Sequence, residues 1–216
     1  MRVFSFVTDF PFLFGFCFKK EKTKGKIDYL IETEIKKLHF WTKKDPPDFL
    51  IFFFSKNDGF LIKKTYKKTK RSLSLFDEKV FDEILKESEK ELLKEAKKEI
   101  KKPSLLFSKI LEIKLDGVLL SDPFGTPFKE VEIKKINFYL HQKEYSLFSK
   151  ILRKIKIPAK IFVKEAIYDT LGVVPKTFQE TLYLRFKNLK NLFKIEKKKY
   201  FWEASILTEL FLEGKI

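Results

Sequence analysis

His39, His141 and Cys17 are the residues of this chain best suited to general-base, metal-ligand or nucleophile chemistry, and none has a local partner for it. Two histidines and one cysteine give no metal-site spacing, and a lone cysteine forms no internal disulfide, which predicts a reducing, cytoplasmic setting. Cys17 lies in a strand-like apolar run and reads as a buried, inert thiol. His39, between Leu38 and Phe40-Trp41, reads as an aromatic packing neighbour, and His141 ends a predicted strand and takes no role. The sequence contains no G-x-S-x-G elbow, phosphate-binding P-loop, H-E-x-x-H pair or G-x-G-x-x-G turn. These residues predict no catalytic residue, no metal site and no cofactor.

Cations are the other chemistry on offer. The chain carries 46 Lys and Arg against 30 Asp and Glu, a net charge of +16, which attracts phosphate-rich partners or an anionic membrane surface. Lys56–Arg71 holds seven positive charges against one acid, with Phe60 and Tyr66 interleaved, and Arg185–Lys199 holds seven against Glu196. Lys63, Lys64, Lys67, Lys68, Lys70 and Arg71 in the first stretch, and Lys197, Lys198 and Lys199 in the second, are the candidate contacts to an anionic partner. Basic residues mixed with aromatics can track a nucleic-acid backbone and stack bases. A strand with one packed aromatic face and one solvated lysine face gives the same pattern. The charge also has a compositional origin, since Phe (26, against 7 Gly) and Lys are both in excess, as AT-rich coding favours. Abundant Lys and Glu with one Met and one Cys would also suit a thermophile.

The elements that must position these residues follow from periodicity. At 216 residues, 44% apolar and 35% charged, the chain has the material for one large or two small globular domains. MRVFSFVTDFPFLFGFCFKK is no signal or membrane segment: Asp9 and Pro11 interrupt it and its positive cluster comes after the apolar run. Phe12, Phe14, Phe16 and Phe18 recur with period two, which predicts a core hairpin of strands 2–8 and 12–18 with a turn at Asp9-Phe10-Pro11. A Lys-rich turn at 19–26 leads to an extended stretch near 27–40. Paired prolines make 43–48 a connector, Phe49–Phe54 is a short buried strand, and Asn57-Asp58-Gly59 reads as a hairpin-type turn into a strand at 60–66.

From Leu75 to Lys102 the period becomes helical, with Val80, Phe81, Ile84, Leu85, Leu92 and Ala96 on one face. Glu83, Glu87, Glu91, Glu95 and Glu99 each precede a lysine by three residues, a solvated ladder contributing about 0.2–0.5 kcal/mol per pair. Ser74 with Asp77 resembles an N-terminal capping arrangement and Pro103 ends the helix. Strands near 105–115 and 131–140 follow, then a helix at 145–156, a strand at 159–163 and a helix at 164–171 stopped by Gly172. Strands at 181–187, 191–196 and 199–203 and a helix at 204–213 complete a mixed αβ (α+β) order.

The most constrained stretch is LEIKLDGVLLSDPFGTPFKEVEIKKINFYL, residues 111–140. Gly117 and Gly125 admit positive φ, while Pro123 and Pro127 fix their own φ and push Asp122 and Thr126 toward extended geometry. Strand 60–66, helix 77–102 and two strands joined by this DG…DPFG loop resemble the inserted SHS2 module of the FtsA cell-division family and of the related PilM-type pilus proteins. The order matches through Gly172, and residues 115–140 match most specifically. The resemblance implies a ribonuclease-H-like (actin-like) half-core at 1–58 and 158–216, the N-terminal half of such a protein, with an inserted strand–helix–strand–strand module at 59–157. Ile216 then falls where the second lobe would begin.

Departures from that family bear on function. Its members hold phosphate with an Asp-x-Gly-Ser/Thr turn in the first hairpin, where glycine lets backbone N–H groups approach the anion. This chain reads Asp9-Phe10-Pro11-Phe12, so Pro11 removes an N–H and Phe12 replaces the hydroxyl. Residues 182–189, LYLRFKNL, carry neither the acid nor the glycines of the second phosphate loop. The resemblance therefore implies a pseudo-ATPase, a non-catalytic scaffold or adaptor in cell division or type IV pilus assembly. It would act through protein partners, in the cytoplasm or peripherally at the inner membrane face. Asp122, Pro123, Phe124, Gly125, Pro127 and Phe128 are the candidate protein-contact residues, the rim at Phe124, Pro127 and Phe128 being expected to lie exposed. The alternative is a basic protein that binds nucleic acid through its Lys-rich strands.

Overall fold

A computed structural model describes residues 1–21 and 24–171 and, beyond them, Ala204, Leu207, Thr208, Phe211, Leu212 and Gly214. In chain order the elements are β1 (Arg2–Asp9), β2 (Phe12–Glu21), β3 (Lys24–Glu34), a 3-10 turn at Ile35–Lys37, α1 (Leu38–Lys44), β4 (Phe49–Phe54) and β5 (Phe60–Leu75). Then come α2 (Glu78–Glu99), β6 (Pro103–Leu115), β7 (Val118–Leu119), β8 (Pro127–His141), α3 (Gln142–Ile155), β9 (Ala159–Val163) and α4 (Lys164–Leu171). Met1–Asp58 and Lys143–Ile216 form one compact unit and Gly59–Gln142 a second. The mixed αβ class is as the periodicities imply.

The first unit is built on a five-stranded sheet in the order β3-β2-β1-β4-β9. β1 and β2 form the expected hairpin, with Asp9 opposite Phe12, and β2 pairs antiparallel with β3 across a bulge at Cys17/Phe18. β4 runs parallel to both β1 and β9. Parallel strands are covered on both faces and read as continuous apolar runs, and Val3–Thr8 and Leu50–Phe54 are buried without alternation. One face packs Val3, Val7, Phe16, Ile51 and Phe53 against Ile167 of α4 and against Ala204 and Leu207. On the other, Phe6 stacks on Phe52 at 5.6 Å, and Phe148 of α3 meets Phe52 and Phe54 edge-on at 5.1 and 5.2 Å. That packing groups α3 with the first unit, where the sequence reading placed it in the insert. The single aromatic face expected for residues 12–18 is corrected likewise: Leu13 and Cys17 are as buried as Phe14 and Phe16, because β2 is an interior strand.

The second unit is an antiparallel sheet in the order β5-β8-β6-β7, with α2 across one face. Ile84 of α2 joins Phe76, Leu115, Phe128, Val131 and Ile133 in one cluster, and Leu92 and Ala96 join Ile62 and Tyr139 in another. The Asp77 carboxylate accepts the Val80 amide at 2.7 Å and caps the helix. Ser74 instead belongs to β5 and bonds Ser72 O, so the expected two-residue capping arrangement reduces to Asp77 alone.

Further departures have plain causes. Residues 35–44 are helical, not extended, because Ile35, Leu38 and Thr42 are buried at a helical spacing that a short apolar run also matches as strand. Asn57-Asp58-Gly59 is not a hairpin turn, since β4 and β5 lie in different sheets. β5 runs on to Leu75 because β8 pairs with it as far as Pro127. Gly172 and the strands expected between 181 and 203 lie outside the described residues; Ala204, Leu207, Thr208, Phe211 and Leu212 are helical.

Gly15 is the position with least tolerance. A Cβ there would lie 1.8 Å from Ser5 O and 2.8 Å from Phe6 Cδ1, so β1 and β2 would have to separate to admit it. Gly15→Ala is expected to destabilise the first unit by more than about 3 kcal/mol, at the severe end for single substitutions, measured as a loss of the urea midpoint; an unchanged midpoint would contradict this packing.

Candidate functional site

Parallel strands present polar chemistry at their C-terminal ends, and in open α/β sheets ligands bind there. β1 and β4 end side by side at Asp9 and Phe54, and the residue that organises this edge is Asp58. Its Oδ2 accepts from Thr8 Oγ1 at 2.6 Å, the Ser55 amide at 2.8 Å and Ser55 Oγ at 3.2 Å, and its Oδ1 accepts from the Phe10 amide at 2.9 Å. Asp58 itself is buried. The Phe10 amide is thus held by an internal carboxylate. Pro11 has no N–H to add, and its carbonyl accepts the Ile35 amide at 2.9 Å. On the same edge Glu165 of α4 accepts the Lys56 amide at 3.1 Å through Oε1, while its buried Oε2 has no hydrogen-bond partner among the described residues.

Sequence reasoning named Asp9 at this edge and missed Thr8, Ser55, Asp58 and Glu165. The spacing Ser55-x-x-Asp58 was a usable signal, because a serine and an acid three residues apart satisfy each other's turn. Asn57-Asp58-Gly59 hid it by resembling a hairpin.

The 116–128 loop is built as its residue types suggest. Asp116 and Gly117 take φ of 48° and 81° and make the two-residue turn from β6 to β7. The Asp116 carboxylate accepts the Lys129 and Glu130 amides at 3.0 and 2.7 Å, tying that turn to the start of β8. Asp122 accepts the Phe124 amide at 3.3 Å, and Gly125, at φ 77°, donates to Phe76 O at 2.9 Å. Of the predicted contact residues, Asp122, Phe124, Gly125 and Pro127 are exposed, whereas Pro123 and Phe128 are buried. The expected exposed rim is corrected at Phe128, which stands edge-on to Phe76 at 5.7 Å inside the α2 cluster. What the sequence missed is the company Phe124 keeps. Leu73, Leu75, Val118, Leu119 and Phe124 are 62%, 59%, 58%, 60% and 47% exposed, and all lie at the end of the sheet where β5 finishes and the β6–β7 turn sits.

The basic strand is largely answered from within. Lys64 pairs with Glu95 at 3.2 Å and Lys68 with Glu87 at 2.6 Å, both across to α2, and Lys67 pairs with Glu132 of β8. Lys135, almost wholly buried, reaches Glu89 of α2 at 2.9 Å. Glu87 and Glu95, expected to pair along the helix, thus pair with lysines of the sheet. Lys63 is exposed opposite Ile136, and Lys70 and Arg71 lie where the β5–β8 register shifts between Thr69 and Ser74. Phe60 and Tyr66 pack against the α2 clusters rather than standing as stacking platforms. Lys197, Lys198 and Lys199 lie outside the described residues.

Cys17 is buried, and burial first, then Asp45, pushes its thiol up. Tyr29 donates to Asp45 at 2.6 Å, and Arg2 pairs with the same carboxylate. His39 Nδ1 lies 3.1 Å from Lys36 O and its ring lies against Phe40 at 3.9 Å; His141 pairs with Pro103 at the end of β8. An open groove of about 610 Å³ beside β3 is walled by Phe12, Phe40 and Trp41 with Glu34 on its rim, and hydrogen bonds from Lys36 and Lys37 hold that carboxyl below the usual range. Among the described residues no three His, Cys, Asp or Glu side chains gather as a metal site, and no helix is long and apolar enough to cross a membrane.

No protein-family model matches the chain, and no curated protein does. Among solved structures it is similar to a chain of a PilM-PilN type IV pilus biogenesis complex, at 13% identity over 77% of this chain and 48% of that one, with a TM-score of 0.42. The chain thus spans about half the length of that neighbour.

Tyr66 gives the β5–α2 contact a pH signature. Burial first, then its 2.8 Å hydrogen bond to Glu87, pushes the phenol up to about 12. A folded pKa above the unfolded value of about 10 means that the contribution is whole below pH 10 and is lost as pH rises through about 12. In Tyr66→Phe, the unfolding free energy from urea titration should fall short of wild type by about 0.5–1 kcal/mol at pH 8, discounted for solvent screening. That gap should close by pH 12, and a gap independent of pH would show that the hydroxyl does not make this bond.

Proposed function

We propose that the chain is a non-catalytic scaffold or adaptor resembling the first lobe of the FtsA/PilM family: an actin-like, ribonuclease-H-like half-core carrying an SHS2-type insert. The observation that carries the reading is the closed edge of β1 and β4. The Phe10 amide is held by Asp58, Pro11 offers no donor, and Glu165 adds a second carboxylate to the edge, so a nucleotide phosphate would meet filled donors and like charge. Binding then falls to surface. Leu73, Leu75, Val118, Leu119 and Phe124 form the exposed apolar end of the second unit, and an apolar patch of this kind marks an interaction site more often than an accident of folding. The partner is a protein of cell division or type IV pilus assembly, met in the cytoplasm or at the inner membrane face. The net charge of +16 supports that second location by attraction to anionic lipid.

Isothermal titration of Mg-ATP into the whole chain is expected to give no saturable heat, and saturable binding would sink the non-catalytic reading. Leu119→Ser with Phe124→Ser should leave the thermal midpoint within a few degrees while abolishing binding to a division or pilus-assembly protein encoded beside it. Equal binding by the variant would remove this end as the contact.

A second reading, nucleic-acid binding, rests on Lys70 and Arg71 in the basic strand β5. Because Lys64, Lys67 and Lys68 already face carboxylates, a random oligonucleotide should bind weakly at about 50 mM salt, with a shallow log–log salt slope. A steep negative slope would favour nucleic acid over the scaffold.

A further inference from the structure

The Asp58 carboxylate is held like a ligand. Four donor contacts converge on its two oxygens, from Thr8 and Phe10 at the end of β1 and from the amide and hydroxyl of Ser55 after β4, at 2.6 to 3.2 Å. Two of the four are backbone amides fixed by the turns that carry them. A tight turn at the end of β4, in which the Asp58 amide donates to Ser55 O at 3.0 Å, presents the side chain to both strands. The Thr8 hydroxyl has a second acceptor, Phe53 O at 3.2 Å, and at 2.6 Å it donates to the carboxylate. Converging backbone amides and hydroxyls of this kind are what proteins build to hold an oxyanion.

We propose that this cluster is an oxyanion site whose resident ligand is the protein's own Asp58, and that removing the carboxylate opens it to a small external carboxylate. The donors belong to turns of the first unit and do not depend on Asp58 for their direction, apart from the Ser55 pair that shares its turn. Asp58→Ala keeps Cβ and vacates a volume the size of formate, leaving the Phe10 and Ser55 amides without this acceptor and the Thr8 hydroxyl with Phe53 O alone. In the native chain a phosphate arriving at this edge must displace a covalently tethered anion, which it cannot do by mass action at ordinary concentrations. The proposal deepens the non-catalytic reading by naming the atoms that close the site, yet stands on hydrogen-bond geometry alone.

The test is thermal unfolding of the full chain, wild type and Asp58→Ala, in sodium formate and in sodium chloride at equal ionic strength. The variant in chloride should melt roughly 6–12 °C below wild type, from the loss of a buried charge-assisted cluster. Formate should restore at least half of that loss and leave wild type unchanged relative to chloride. Thr8→Val combined with Asp58→Ala should abolish the rescue, because the shortest donor is gone. A variant that responds to formate no more than wild type does, or that fails to fold in either salt, overturns the proposal. Mg-ATP binding by wild type would sink the scaffold reading and leave formate rescue intact, so the two failures are distinguishable.

Discussion

Two-sided burial of the parallel pair β1 and β4 is the constraint on which the first unit rests. Val3, Val7, Ile51 and Phe53 face one layer, and Phe4, Phe6, Phe52 and Phe54 face the other. Each fully buried Phe contributes about 1.5–3 kcal/mol, and neither face has room for a charged group. Polar chemistry is thereby confined to strand ends. Ser5 is the exception within the strand, and its hydroxyl is matched by Thr208 at 2.5 Å. Thr8, the last buried residue of β1, already belongs to the edge, and its hydroxyl turns toward Asp58.

The second unit divides its sheet differently. α2 lies on one face, and the other carries charge along part of its length, Lys134 meeting Glu112 at 2.5 Å and Lys67 meeting Glu132, before Ile136, Phe138 and Leu140 of β8, which are fully buried. Such exposed pairs contribute little individually. Lys135 is different: its side chain lies beneath α2 and is buried, so removing Glu89 would strand a cation in a low-dielectric contact. The helix is therefore fixed over the sheet by apolar packing at Ile84, Leu92 and Ala96 and by at least one ion pair that cannot be broken cheaply.

Local signals that reported one face or one turn were legible in the sequence. The period-two hairpin, the long amphipathic helix, the apolar run at 49–54 and the φ demands of Gly117 and Gly125 all appear in the structure at or near the expected residues. Partners distant in the chain were not legible. Asn57-Asp58-Gly59 has the composition of a hairpin turn, yet the strand it leads into joins another sheet, and nothing local to Asp58 announces Thr8, fifty residues away. Phe128 looked like a loop aromatic beside Pro127, and only the pairing of Leu75 with Pro127 turns it inward. Apart from Phe124, the exposed apolar end was not legible because Leu73 and Leu75 lie more than forty residues from Val118 and Leu119 in the chain.

The acidic minority in this +16 chain shares one habit. Asp58 accepts from turns of two strands, Asp77 from the first turn of α2, Asp116 from the start of β8 and Asp122 from Phe124. Asp45 accepts from Tyr29 and Arg2. Each of these carboxylates supplies an acceptor where folding exposes N–H or O–H groups with no strand or helix partner, which removes the cost of leaving them unpaired. The consequence reaches the surface. At these five places the donors are held by the chain's own carboxylates, and the exposed surface of the described residues carries lysines and the apolar side chains of Leu119 and Phe124.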